Sequence, residues 1–160
     1  MILDTYRKSN NSDERNTALR SLGRSRDPEL IKKTLSLALG GEVREQDIYM
    51  PISGLRSHPE GIRALYGWMS ENWDELVRRL PAELSLIDSV VSICTSGFTS
   101  FEDLARVQKF FSERSTKGFD QVLAQCCDAI KAKASWLERD RQDVKDWVNS
   151  YSAKSIKSEL

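Results

Sequence analysis

One histidine, three cysteines and scattered carboxylates are the stock from which this chain could build a reactive centre. Hydrolysis at zinc needs three side chains converging on the metal, commonly two histidines four apart on a helix with a glutamate as base. His58 stands alone, so no such site can be assembled, and its place beside Pro59 at a helix start predicts a surface or capping role. Cys126 and Cys127 are adjacent, unlike the C-x-x-C spacing that lets one thiol resolve another, and with Cys94 they make an odd count. A buried Cys126 and a reducing compartment follow, and the chain is expected to be cytoplasmic. Gly40-Gly41 closes a helix instead of opening one after a strand, which excludes a phosphate-binding loop. The acidic residues between Glu138 and Asp146 alternate with Arg and Lys, the pattern of a solvated helical face. Trp68, Trp73, Trp136 and Trp147 each have apolar neighbours three or four residues away and are expected in the core or between helices. The sequence therefore predicts no catalytic residue, no metal ligand and no cofactor held by this chain.

Composition narrows the partners. The 160 residues are 39% hydrophobic and 30% charged, which fits one globular domain or one piece of a larger array. The 24 basic residues equal the 24 acidic ones, and no basic cluster offers the surplus that phosphate neutralisation requires, so nucleic acid is not an expected partner. No apolar run reaches the roughly 20 residues of a membrane span, and the N-terminus lacks a signal-peptide pattern. Lys157-Ser158-Glu159-Leu160 differs by one residue from an endoplasmic-reticulum retention signal and, without a signal peptide in view, reads as coincidence.

The elements that would hold these residues are all helical. Asp27 before Pro28 and Glu29 predicts a capped helix whose stripe is Ile31, Thr34, Leu35 and Ala38, ending at Gly40-Gly41. Residues 46–55 read as a helix with a kink or late start at Pro51. Pro59 opens another with Ile62, Leu65, Tyr66 and Met69, and Asn72 with Glu75 could cap a fresh turn to Leu80, giving one long helix or two bent ones. Ile87, Val90, Val91 and Cys94 form the next stripe, and Thr99-x-x-Glu102 is a capping box for a helix bearing Phe101, Leu104, Val107 and Phe111; these two are expected to form a hairpin. Phe119 to Leu137 keeps step for about five turns, Val144 to Tyr151 makes a last short helix, and residues 152–160 read as a loose polar tail. Met1 to Tyr6 reads as the end of a helix whose beginning is missing. The expectation is a single all-α domain over residues 1–160, about eight helices stacked as antiparallel pairs in a solenoid, at a spacing near the roughly 40-residue period of such arrays.

Five stretches carry a resemblance. They are Asp13-Glu14-Arg15-Asn16 followed by Ala18-Leu19; Asp27-Pro28-Glu29-Leu30-Ile31; Gly61 to Leu76 with Trp68, Asn72 and Trp73; Gln125-Cys126-Cys127; and Trp136-Leu137-Glu138-Arg139-Asp140. In that order and at those spacings the chain resembles the C-terminal end of the puromycin-sensitive and fungal alanine/arginine aminopeptidases, gluzincin zinc metallopeptidases. The resemblance implies a HEAT/armadillo-like domain, a C-terminal fragment of a larger enzyme. In that family it curves over the catalytic domain, limits access to the chamber and helps to bind the peptide. The zinc, its His-Glu-x-x-His ligands and the Gly-x-Met-x-Asn motif belong to an upstream domain and do not occur here. The implied partners are the catalytic domain of the same polypeptide and a peptide substrate.

The same resemblance singles out Arg24, in Leu22-Gly23-Arg24-Ser25-Arg26, as a substrate-binding residue for the carboxylate at a peptide's C-terminus. The planar guanidinium fork suits a carboxylate; the alternative is an exposed arginine that, with Arg20 and Arg26, solubilises the turn. From composition and periodicity alone, a free-standing helical-repeat module that binds another protein is an equal alternative for the whole chain.

Overall fold

A computed structural model describes residues 2–80 and 85–157, with side chains as far as 151; of the tail expected at 152–160, the backbone of 152–157 continues the last helix and 158–160 lie outside the described residues. Among the described residues the fold is all-α, with nine helices: α1 (Ile2–Lys8), α2 (Ser12–Leu22), α3 (Pro28–Leu39), α4 (Tyr49–Ser53), α5 (Pro59–Glu71), α6 (Trp73–Arg79), α7 (Leu86–Thr95), α8 (Phe101–Ser112) and α9 (Asp120–Lys157). Short 3-10 turns at Glu45–Asp47 and Gly54–Ser57 flank α4. α1 packs on α2, α3 on α4 and α5, and α2, α4, α7 and α9 touch in succession. Buried side chains from Tyr6 to Ile130 form one hydrophobic cluster. At its centre Trp73 takes Phe110, Phe111 and Phe119 edge-on, with ring centroids 5.2 to 5.7 Å apart, the arrangement that the ring quadrupoles favour.

Local chemistry sets several boundaries. Asp27 caps α3 as the sequence predicts, its carboxylate accepting from the amides of Glu29 and Leu30 at 2.9 and 3.0 Å. Pro51 produces a late start: α4 begins at Tyr49, so the proline falls in the first turn, where its missing N–H has no partner to lose. Asn72 divides α5 from α6, giving two helices. Its side chain donates to Trp68 O at 2.8 Å instead of capping α6, and Glu75 pairs with Arg78. His58 is buried, not at the surface, and does cap: Nδ1 accepts the Gly61 amide at 3.0 Å.

Four expectations are corrected. The capping box lies one residue later, on Ser100 and Asp103: Ser100 Oγ accepts the Asp103 amide at 3.1 Å and donates to its carboxylate at 2.8 Å. The register shifts because Asp103 is drawn inward to Arg63 of α5, leaving Phe101 partly exposed and Glu102 free to pair with Arg106. α7 and α8 pack chiefly on α5 and α9 instead of on each other. The last two predicted helices are one, since nothing between Leu137 and Val144 interrupts the backbone ladder of α9. Trp136 and Trp147, expected in the packing, are exposed: Trp136 stands two residues after buried Ala134 and so faces away from the covered side, and Trp147 lies where every residue from Arg141 to Tyr151 is exposed.

Asp103 ties α5 to α8. Burial pushes its carboxyl up, but hydrogen bonds from Arg63 and Ser100 and the charges of Arg63 and Arg106 outweigh that and hold it below the usual range. A depressed carboxylate contributes stability above its unfolded pKa, about 3.9, and that contribution is lost as pH falls through the folded value. Urea midpoints measured from pH 6 down to pH 2 should therefore decline more steeply in the parent chain than in Asp103→Asn. Parallel declines would remove Asp103 from the acid response.

Candidate functional site

Reactive chemistry has little to work with in three dimensions. Cys94 is fully buried and its thiol is pushed far above the usual range by burial; Cys127 is raised by burial and by its neighbours Cys126 and Asp128. Thiols held protonated are poor nucleophiles and poor ligands. All three cysteines are unpaired. Among the described residues no group of three or more His, Cys, Asp or Glu side chains could hold a metal ion, and no helix is long and apolar enough to cross a membrane.

Arg24, the candidate that the sequence offers, lies in the turn between α2 and α3. α2 ends at Gly23, whose amide donates back to Ser21 O. A Cβ on Gly23 would lie 2.2 Å from Pro51 O and 3.2 Å from Gly54 Cα, and one on Gly54 would lie 2.9 Å from Gly23 C. The two backbones touch, which only glycine allows. Beyond the contact, Arg24 N–H donates to Ser21 O at 3.2 Å and Ser25 Oγ receives the Asp27 amide at 3.2 Å. Thr34 of α3 donates to Leu22 O at 3.3 Å. The turn is thus fixed at both ends and through its own backbone. Arg24 projects from it exposed, and its guanidinium makes no hydrogen bond or ion pair among the described residues. Arg20 and Arg26 are exposed alongside it in sequence.

From Pro28 onward a groove of about 670 Å³ runs between α3 and α5. Ile31 and Leu35 line one side and Ala64 and Trp68 the other, with Lys32, Glu60 and Glu71 along the borders. Glu60's own backbone amide, then His58 and the nearby charge of Arg26, hold its carboxyl below the usual range, so it presents a negative charge at the end nearest the turn. Gly67 lines the groove from the interior of α5, and a Cβ built on it would meet nothing within 4 Å. Glycine at a helix interior costs about 0.5 to 1 kcal/mol relative to alanine, and here no close packing demands it; its effect is to keep the groove open.

The sequence singled out Arg24; the structure shows it exposed on the α2–α3 turn and does not bring it among the residues that line the groove. The sequence did not point to the groove, whose walls come from helices some thirty residues apart. The one available signal was Gly67, an isolated glycine inside a helical pattern. Since nothing crowds that position, Gly67→Ala should raise the free energy of unfolding by about 0.5 to 1 kcal/mol. Equilibrium urea denaturation reads this directly, and a destabilised variant would mean that the space over Gly67 is closed in solution.

Comparison with known proteins adds the lineage. A family model described as the ERAP1-like C-terminal domain matches residues 1–132. The mitochondrial aminopeptidase 2 of Saccharomyces cerevisiae is 52% identical over 140 residues, 88% of this chain and 14% of that protein. The alanine/arginine aminopeptidase of the same yeast is 43% identical over 150 residues, 94% of this chain and 18% of its own length. Aminopeptidase 2 of Candida albicans is 42% identical over 150 residues, 93% of this chain and 16% of its own. The chain thus spans less than a fifth of the length of these relatives.

Proposed function

This chain belongs to the ERAP1-like C-terminal domain family, and from that membership we propose that it serves as the non-catalytic C-terminal domain of a zinc aminopeptidase. The observation that carries the reading is that relatives named as aminopeptidases match almost the whole chain while being several times longer. The peptidase chemistry, with its zinc, belongs on this reading to the part of the polypeptide outside this chain. The domain forms part of the wall of the substrate chamber, limits which peptides enter and holds the far end of those that do. Its unpaired cysteines suit a reducing compartment, and a cytoplasmic parent is part of the proposal. The relatives support this reading over that of a free-standing interaction module.

Within the domain, Arg24 is the residue we assign to the peptide's C-terminal carboxylate. Support comes from its setting: an exposed, unpaired guanidinium on a turn whose backbone is pinned by the Gly23–Gly54 contact loses little conformational freedom beyond its own side chain when it binds. In the whole enzyme, Arg24→Ala should weaken apparent affinity for free-carboxylate peptides by roughly 1 to 3 kcal/mol, the scale of a charged hydrogen bond. C-terminally amidated peptides and single-residue chromogenic substrates should be nearly unaffected. Equal losses on all three substrate types, or none on any, would return Arg24 to the solvent.

A second measurement addresses the division of labour. The isolated chain should release no amino acid from aminoacyl-naphthylamides with or without added zinc. Metal-dependent turnover that co-purifies with the chain through every step would overturn the assignment of the chemistry elsewhere.

A further inference from the structure

His58 is the one histidine of the chain, and its setting is more demanding than a helix cap requires. The side chain keeps 1% of its surface in water. Nδ1 accepts the Gly61 amide at 3.0 Å, so the neutral ring carries its proton on Nε2. That Nε2–H is buried and meets no hydrogen-bond partner among the described residues. Serine, threonine, asparagine or aspartate would accept the same amide without burying an unpaired N–H. What imidazole adds is a second protonation state, of a kind that ordinarily changes between about pH 5 and 8.

A second partner stands within reach. Glu60 Oε2 lies 3.3 Å from the same Nδ1. The two neighbours make opposite demands on that atom, since the amide needs its lone pair and the carboxylate needs a proton on it. A Cβ on Gly61 would fall 2.8 Å from His58 Cε1, so the ring rests directly on the glycine. With both partners on one nitrogen, exchanging them needs no swing of the ring. Glu60 is exposed and borders the α3–α5 groove.

We propose that His58 and Glu60 form a proton-operated device at the start of α5: proton uptake at Nδ1 releases the Gly61 amide, binds Glu60 in its place and withdraws Glu60's charge from the groove. The proton comes from solvent and occupies the lone pair that the amide used; no covalent bond breaks. Imidazolium and carboxylate then make a pair of zero net charge where a free carboxylate had stood. The first turn of α5 keeps the bond from Ile62 N–H to His58 O at 3.1 Å, so the helix persists while one of its end amides opens. The elements packed around the pair bring their own charges. Arg26 of the α2–α3 turn acts on Glu60, Arg56 lies in the 3-10 turn two residues before His58, and Lys32 of α3 lines the groove together with Glu60. α7 brings Cys94, a thiol that burial holds protonated. Of these groups the Glu60 carboxylate is the one that an imidazolium can bind.

The test is an NMR titration of the 160-residue chain from about pH 8 to about pH 5, in which a single imidazole gives signals that need no assignment among histidines. Long-range 1H–15N spectra should show the Nε2–H tautomer at the upper end and a doubly protonated ring at the lower. The Gly61 amide proton should move upfield and the Glu60 carboxyl carbon should shift, both with the midpoint of the ring. Amides of α8 and α9 should keep their positions, which separates a local exchange of partners from unfolding. In His58→Ser the hydroxyl caps α5 without responding to protons, so neither the Gly61 amide nor the Glu60 carbon should inflect at that midpoint; His58→Asn gives the same reading should the serine variant not fold. An Nδ1–H tautomer in the neutral ring, a ring that charges while the Gly61 amide stays in place, or a Glu60 carbon that ignores the ring overturns the device. A ring that stays neutral throughout, or that charges only as the amides of α8 and α9 collapse, overturns it as well.

Discussion

Everything around the α2–α3 turn depends on two glycines whose backbones touch. Gly23 and Gly54 leave no room for a Cβ on either side, and that contact lets the end of α2 lie directly against the end of α4. The consequences are local and then regional. α3 must start within a few residues, which Asp27 and Pro28 accomplish. Thr34 can then reach back to Leu22. A second close approach repeats the device: a Cβ on Gly61 would lie 2.1 Å from Leu55 O, so α5 begins pressed on the turn that follows α4. Two intolerant backbone contacts, both at the C-terminal end of α4, thereby set where α3 and α5 run and hence the groove between them.

The sequence exposed much of this order and missed the rest for identifiable reasons. Caps written in adjacent residues were legible: Asp27 with Pro28 needs no tertiary information, and neither does a proline confined to a first turn. Where two candidates stood side by side, propensity could not choose. Thr99 and Ser100 are both good caps, and the choice fell to Ser100 because Asp103 has an arginine waiting on α5, forty positions away. The continuity of α9 was hidden differently: a polar stretch between two apolar stripes reads as a break, yet helix hydrogen bonds continue through it.

The candidate site divides along the same line. One histidine and the adjacent cysteines led to the expectation that this chain holds no reactive centre, because those are statements about inventory. Arg24 was legible as a residue type in a turn, not as a side chain held on a pinned backbone. The groove was not legible, since Ile31 and Trp68 meet only through folding, and a glycine in a helix announces space without saying what bounds it. His58 shows the limit from the other side: its position before Pro59 suggested capping, but its burial comes from Gly61 and the turn ahead of α5.

The four tryptophans divide evenly between two optical environments. Trp68 and Trp73 are shut away, Trp73 with three phenylalanine edges around it, while Trp136 and Trp147 stand in water on α9. The native emission spectrum is therefore a superposition of a blue-shifted pair and a red-shifted pair. Unfolding moves only the first, so fluorescence follows the interior of the bundle while a soluble quencher follows the far end of α9, and one molecule carries separate reporters for its fixed body and its protruding arm.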